Sequence, residues 1–181
     1  APRSKITYLI ALILGVGIPV GVIYLLELTK FKIEGRADVE KLTSAPIVGD
    51  IPLTDEKQGA IAVFENQNNL MSETFRNVRT NLQFMLGNDK KVILVTSTVS
   101  GEGKSFISGN LAISLSLLGK KVVIVGLDIR KPGLNKVFNI PRKEIGITQY
   151  LANPENNLMD LVHLSDVSKN LYILPGGTVP P

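Results

Sequence analysis

Lys104 and Ser105 close the run Thr96-Ser97-Thr98-Val99-Ser100-Gly101-Glu102-Gly103-Lys104-Ser105. These residue types at this spacing suit phosphate binding. Gly101 and Gly103 let backbone amides turn inward and approach phosphate oxygens with no side chain between. The Lys104 ammonium can reach terminal phosphates, and the Ser105 hydroxyl can ligate magnesium. A carboxylate follows in Gly126-Leu127-Asp128-Ile129-Arg130-Lys131-Pro132. Asp128 could hold the same ion, directly or through water, or help take a proton from an attacking hydroxyl. Its plainer reading is an aspartate that caps its own loop.

Such residues work only if the chain positions them. Val92-Ile93-Leu94-Val95 is a continuous apolar run rich in β-branched residues, which predicts a buried parallel strand. The run FISGNLAISLSLL after Ser105, closed by Gly119, predicts a helix whose N-terminus adds partial positive charge at the loop. Strand, glycine-containing loop and helix is the order of a P-loop. The strict pattern asks for glycine five residues before Gly103, where this chain has Thr98, so a plain strand-to-helix turn is the competing reading. A second strand is predicted at Val122-Val123-Ile124-Val125. A β–α–β unit crosses over right-handed, which would lay the two strands parallel with their carboxyl ends on one edge. Ligands bind outside those ends, so Asp128 would be delivered to the edge that carries Lys104 and Ser105.

Upstream, Met71, Phe75, Val78, Leu82 and Met85 are spaced 4, 3, 4 and 3, one apolar stripe of a helix ended by Gly87-Asn88. Glu73, Arg76 and Arg79 lie off the stripe, and by themselves read as a solvated face with an i,i+3 ion pair. Residues 31–68 read as a connector: Ala45-Pro46, Gly49-Asp50 and Ile51-Pro52 are turn signals without sustained periodicity. Its short apolar cluster, Ile47, Val48, Ile51 and Leu53, could dock on a neighbouring domain, but a plain tether is the simpler reading.

Ile6 to Leu26 is twenty-one residues without a charge. As a helix it spans roughly 31 Å, the thickness of a bilayer's hydrocarbon core. Gly15, Gly17, Pro19 and Gly21 are tolerated in lipid, and Tyr8 and Tyr24 sit where amphipathic rings favour the interface. No short apolar region with a small-residue cleavage site marks a signal peptide. Lys30, Lys32, Arg36 and Lys41 follow the segment, whereas Arg3 and Lys5 precede it, so the positive-inside rule places the C-terminal side in the cytoplasm.

Composition removes several alternatives. The chain of 181 residues is 44% hydrophobic and 20% charged, enough for a core and too apolar for a disordered chain. With no cysteine and one histidine, His163, disulfide scaffolds, thiolate catalysis and Cys- or His-rich metal sites are excluded. The net charge of +4 is spread along the chain, Trp is absent, and aromatics are 6%, which argues against nucleic-acid binding.

Together these residues resemble a bacterial tyrosine kinase (BY-kinase) fused to a polysaccharide co-polymerase, a membrane system controlling capsule and exopolysaccharide chain length. Pro2-Arg3 resembles the end of that family's proline-rich segment, and Asp38 to Thr43, Pro46 and Gly49-Asp50-Ile51-Pro52 its linker after the membrane. Glu73-x-x-Arg76-x-x-Arg79 resembles its motif for packing kinase domains into a ring. Thr96 to Ser105 resemble its Walker A motif, and Asp128-Ile129-Arg130-Lys131-Pro132 its Walker A′ motif. Gly146-Ile147-Thr148-Gln149-Tyr150-Leu151 and Leu174-Pro175-Gly176-Gly177 also fall in the family's order.

The resemblance implies an α/β fold: a P-loop NTPase-like parallel sheet flanked by helices, preceded by one transmembrane helix. Residues 1–30 would hold the membrane helix, 31–68 the linker and 69–181 the N-terminal part of the kinase domain. ATP and Mg2+ would be the cofactors. Ser100, Gly101, Glu102, Gly103, Lys104, Ser105 and Phe106 would bind nucleotide, Ser105 and Asp128 the metal, and Lys104, Asp128 and Arg130 would be catalytic. Glu73, Arg76 and Arg79 would form a contact between copies in a homo-oligomeric ring, Arg's planar fork suiting a carboxylate. Implied partners are the lipid bilayer of the bacterial inner membrane, the polysaccharide polymerase and export machinery, and a cognate phosphotyrosine phosphatase; nucleic acid is not among them.

Two departures qualify it. The family's Walker A′ reads Asp-x-Asp, and Gly126 replaces the first Asp, which leans the chemistry on Asp128. The family also continues to a Walker B aspartate and a tyrosine-rich tail beyond the position of Pro181. This chain is therefore expected to be a piece of a longer one and inactive alone, with Tyr150 and Tyr172 serving as core residues. Two other functions remain open: a nucleotide-switched oligomeric scaffold with little kinase chemistry, and a membrane-tethered ATPase similar to cell-division-site and chromosome-partitioning ATPases. The latter carry a signature lysine early in the loop that Thr98-Val99-Ser100-Gly101 lacks.

Overall fold

Residues 4–28, 33, 35–53, 59–87, 89–141, 145–153 and 155–178 are described by the computed structural model of the chain. They fall into two units, divided after Pro46. In the first, the uncharged run becomes a single helix, α1 (Ser4–Leu28), with Pro19 inside it and no residue buried. It is long and apolar enough to cross a membrane. Within the stretch read as a connector, α2 (Arg36–Leu42) forms a short helix, with Asp38 in its first turn and Lys41 in its last, matching the helix dipole. Arg36 and Glu40 pair across one turn at 2.9 Å.

The second unit begins at Ile47, inside the predicted connector. Val48, Ile51 and Ile61 pack against the core, and Ala62 and Val63 belong to it, whereas Leu53 is fully exposed. The second half of the connector is thus part of the folded domain. Helix α3 (Leu70–Leu86) starts where the Asn69 side chain accepts the Ser72 amide at 2.7 Å, and ends at Gly87, whose φ of 65° is left-handed. Met71, Phe75 and Val78 of its stripe are buried and Leu82 packs on the core, but Met85 at the end is exposed. Helix α4 (Lys104–Ser116) packs against α3, with the Phe75 and Phe106 rings edge to face at 5.9 Å.

The sheet has three strands, β1 (Val122–Val125), β2 (His163–Leu164) and β3 (Leu171–Leu174), in the order β1-β3-β2. β1 and β3 are parallel, with Val122 opposite Leu171, and β2 is antiparallel to β3. The sheet is therefore mixed, where a parallel one was expected. Short helices α5 (Leu134–Val137) and α6 (Ile147–Ala152) and a 3-10 turn (Leu158–Leu161) connect the strands.

The larger correction concerns Val92–Val95. The run is not a strand, and Val92 and Leu94 are 87% and 81% exposed. A strand exists through its ladder of hydrogen bonds, and among the described residues this run has no ladder partner. The strand beside β1 is β3 instead, so the β–α–β unit predicted across the loop is not formed. Tyr150 is half-buried and packs against the cluster of Ile147, Leu161 and Leu174, whereas Tyr172, also half-buried, is not among the core residues where it was expected.

Candidate nucleotide-binding site

The candidate site starts where the backbone turns into α4. Gly101 and Gly103 have φ of 96° and 88°, a conformation that costs a side-chain-bearing residue energy and glycine nothing. Gly103 is the N-cap of α4, and no side chain caps the helix there. The first amides of α4 are thereby left for an anion, beside Lys104 and Ser105, both half-buried. Thr98, standing where the strict motif has glycine, is not in the left-handed region, so the substitution carries no backbone strain.

The loop before these glycines is tied by its own side chains. The Glu102 carboxylate accepts the Val99 amide at 3.1 Å and the Thr98 hydroxyl at 3.1 and 3.3 Å. The Val99 amide is the main reason its pKa lies below the ordinary glutamate value. The Ser97 hydroxyl donates to the Val99 carbonyl at 2.9 Å. Glu102 thus shapes the loop, and Ser100 is exposed at its tip. Phe106, predicted to touch nucleotide, turns its ring into the core against Phe75.

The loop after β1 is held from outside. The Gly126 amide donates to the Leu174 carbonyl at 2.9 Å. A Cβ on Gly126 would lie 3.0 Å from the Gly176 nitrogen and 3.3 Å from Leu134 Cδ1, so this glycine fills a close backbone approach. Asp128 is exposed, and its Oδ1 accepts the Lys131 amide at 3.0 Å, the loop-capping role. Arg130 is exposed as well. The two loops meet at Gly133, where a Cβ would sit 2.2 Å from Ser105 Oγ. One turn along the same face of α4, Gly109 faces Val137, and a Cβ there would approach it to 2.9 Å. Glycine at both positions lets the 133–138 segment seat on the phosphate-loop helix.

Of the predicted interface triplet, Glu73 and Arg76 pair with each other, and Arg76 also donates to Asn68 Oδ1 at 3.2 Å. Arg79 turns inward to α4. The motifs Gly146–Leu151 and Leu174–Gly177 lock together. The Ile147 amide donates to the Pro175 carbonyl at 2.9 Å, the Thr148 amide to the Gly176 carbonyl at 3.2 Å, and Gln149 Oε1 accepts the Gly146 amide at 2.8 Å.

Sequence reasoning missed Asn110. It is wholly buried, and its Oδ1 accepts the amides of Ala62 at 2.7 Å and Val63 at 3.1 Å. Its Nδ2 donates to the carbonyls of Ala60 at 3.0 Å and Phe106 at 2.9 Å. It fastens the incoming chain to α4. The signal was an amide side chain inside an apolar helical run, since a buried polar group must find partners.

No group of three or more His, Asp or Glu side chains among the described residues forms a metal cluster. The predicted donors, the Ser105 hydroxyl and the Asp128 carboxylate, are of the kind that fits a magnesium ion arriving with a nucleotide and keeping much of its water.

The family model described as ParA, NUBPL iron-transfer P-loop NTPase, matches residues 88–171, so a ParA-type P-loop NTPase domain is present. Tyrosine-protein kinase YwqD of Bacillus subtilis (strain 168) is 33% identical over 126 residues, 69% of this chain and 52% of that protein. A putative tyrosine-protein kinase in the cps region of Klebsiella pneumoniae is 27% identical over 196 residues. That match takes in 99% of this chain, α1 included, and 27% of the relative. The crystal structure of the chimerical protein CapA2B2 superposes with a TM-score of 0.70 at 32% identity, over 81% of this chain and 62% of that one. The chain spans about half the length of the first of these relatives.

Proposed function

Because this chain is a homologue of the bacterial tyrosine-protein kinases and carries a ParA-type P-loop NTPase domain, we propose that it is the nucleotide-binding part of a membrane-anchored protein-tyrosine autokinase that regulates capsular or exopolysaccharide polymerisation and export. The observation that carries the reading is the pair of left-handed glycines opening onto the uncapped start of α4 beside Lys104 and Ser105.

Each residue has a task in this scheme. Amides of residues 101–105 bind the phosphate oxygens of ATP, reinforced by the helix dipole. Lys104 neutralises charge on the terminal phosphates and Ser105 offers its hydroxyl to Mg2+. The metal, when bound, supplies charge neutralisation across the phosphate oxygens as the phosphoryl group moves. Asp128, which now accepts the Lys131 amide, would instead help hold the metal through water or take the proton of the attacking tyrosine hydroxyl, with Arg130 two residues along. Phosphoryl transfer of this kind is mostly positioning and electrostatics, which suits a site with few reactive side chains. The protein would lie in the bacterial inner membrane through α1, with its second unit in the cytoplasm. Its partners would be further copies in a ring, using the exposed face of Glu73 and Arg76, together with the polysaccharide export machinery and a phosphotyrosine phosphatase.

In the full-length protein, Lys104→Met should lower ATP affinity at least about ten-fold and abolish autophosphorylation on tyrosine. Calorimetry and phosphotyrosine detection read these two effects; phosphotyrosine persisting in the variant would sink the kinase reading.

One observation favours a second reading, a nucleotide-switched scaffold with little kinase chemistry. Gly126 is packed against Gly176 and Leu134, so the segment 126–133 has Asp128 as its one carboxylate. That reading predicts nucleotide-dependent assembly with no phosphotyrosine.

A further inference from the structure

Arg79 is not presented outward with Glu73 and Arg76. Its Nη1 crosses to α4 and donates to the Ser114 carbonyl at 2.8 Å and the Ser114 hydroxyl at 3.3 Å. Ser114 is fully buried and lies in the last turn of α4. The carbonyls of a helix's last turn have no intrahelical partner and must be satisfied by other groups. The chain's own amides serve three of the four here: Leu117 reaches Ile113, Leu118 reaches Leu115 and Gly119 reaches Ser116. The Ser114 carbonyl takes the Arg79 guanidinium. A cation at that end also complements the negative pole of the helix.

Arg79 is half-buried at this position. Its Nε is buried without a hydrogen-bond partner among the described residues. Burial, and secondarily Arg76 nearby, lowers its pKa from the ordinary arginine value. One turn away on α3, Phe75 meets Phe106 near the start of α4. Helix α4 is therefore gripped by α3 at two places, a ring contact beside the phosphate loop and an ionic cap at the far end.

We infer that Arg79 is a positioning residue that caps the phosphate-loop helix within its own protomer, coupling the outward face of α3 to the nucleotide site. The coupling rests on the nucleotide reading above; the cap itself does not. Ser114 lies ten residues beyond Lys104, about 15 Å along a helix that moves as one piece. A neighbour that shifts the Glu73–Arg76 face would thus shift the amides that hold phosphate.

The test uses the full chain in detergent micelles, with Arg79→Ala, Arg79→Lys and Arg76→Ala. Amide hydrogen exchange at Leu117–Gly119, ADP affinity with Mg2+ and molar mass by light scattering are measured, the first two at dilutions where the chain is monomeric. Arg79→Ala should speed exchange at the end of α4 about ten-fold or more and weaken ADP about three-fold or more. Arg79→Lys should restore part of both, and Arg76→Ala should leave exchange at the wild-type rate. Unchanged exchange in monomeric Arg79→Ala, with loss only of self-association, would overturn the inference and return Arg79 to the interface between copies. If wild-type chain bound no ADP, the nucleotide reading would fall, while the exchange result would still decide the cap. If Arg79→Ala does not fold, the Arg79→Lys exchange rates decide in its place: faster than wild type supports the cap, unchanged overturns it.

Discussion

Val92-Ile93-Leu94-Val95 and Val122-Val123-Ile124-Val125 are nearly interchangeable as text, and each leads into a loop of the candidate site. The second is a strand with a parallel neighbour, and Ile124 within it is 8% exposed. The first has no ladder and stands largely in solvent. Their loops differ in the same way. The loop after Val125 is held from outside, by the Leu174 carbonyl, by Gly176 and by the contact of Gly133 with Ser105. The loop after Val95 is held from within, by Glu102 and Ser97 binding their own neighbours. A β-branched apolar run is a demand for a ladder, and only the rest of the fold can meet it.

The sharpest way to break this contrast is to put the same charge into both runs. Ile124→Asp buries a carboxylate in the packed sheet and should cost about 3 kcal/mol or more. Leu94→Asp changes a side chain already in water and should stay within about 0.5 kcal/mol. Urea unfolding of the two variants measures both. Similar losses would mean that Val92–Val95 is buried in solution and that the two runs are alike after all.

This contrast also marks how far the sequence could be read. The elements whose signals are local were legible: α1 from an uncharged run, α3 from its stripe and its Asn69 and Gly87 caps, α4 from the glycines before it. The left-handed turns at Gly101 and Gly103 ahead of Lys104 and Ser105 were legible for the same reason, since such a loop is set by consecutive residues. What could not be read depends on partners far away in the chain. The ladder of β1 with β3, the docking of Ala62 and Val63 on Asn110 and the inward path of Arg79 each join segments separated by thirty residues or more. Asp128 shows the converse: a local rule, the loop-capping aspartate, described its geometry better than the more ambitious role of metal ligand.

A smaller effect separates anchoring from chemistry. Gly133→Ala places a methyl where Ser105 Oγ now lies, so either the hydroxyl or the 133–138 segment must move. Fold stability should fall by about 1 kcal/mol, in the range of mild overpacking. Nucleotide affinity measured with Mg2+ should fall more than affinity measured in EDTA, because the displaced group is the one assigned to the ion. Equal losses in both conditions would show that Gly133 only supports the fold and does not set Ser105.

The smallest expected effect lies in the loop held from within. Glu102 is at the surface, and its ionised form is favoured mainly by the Val99 amide, with help from Thr98. A carboxylate whose folded pKa is depressed contributes order that is fully present above its unfolded value, about 4.3, and is lost as pH falls through the lower folded one. The loop should therefore keep its shape through neutral and mildly acidic pH and loosen only below the ordinary glutamate range. The amide resonance of Val99, followed by NMR, should titrate at a pH below that range, and Glu102→Gln should flatten its response while leaving the amides of Val122–Val125 untouched. A midpoint at the ordinary glutamate value would mean that the contact is not formed in solution, and the loop around Glu102 would then lose the internal support that distinguishes it from the loop after β1.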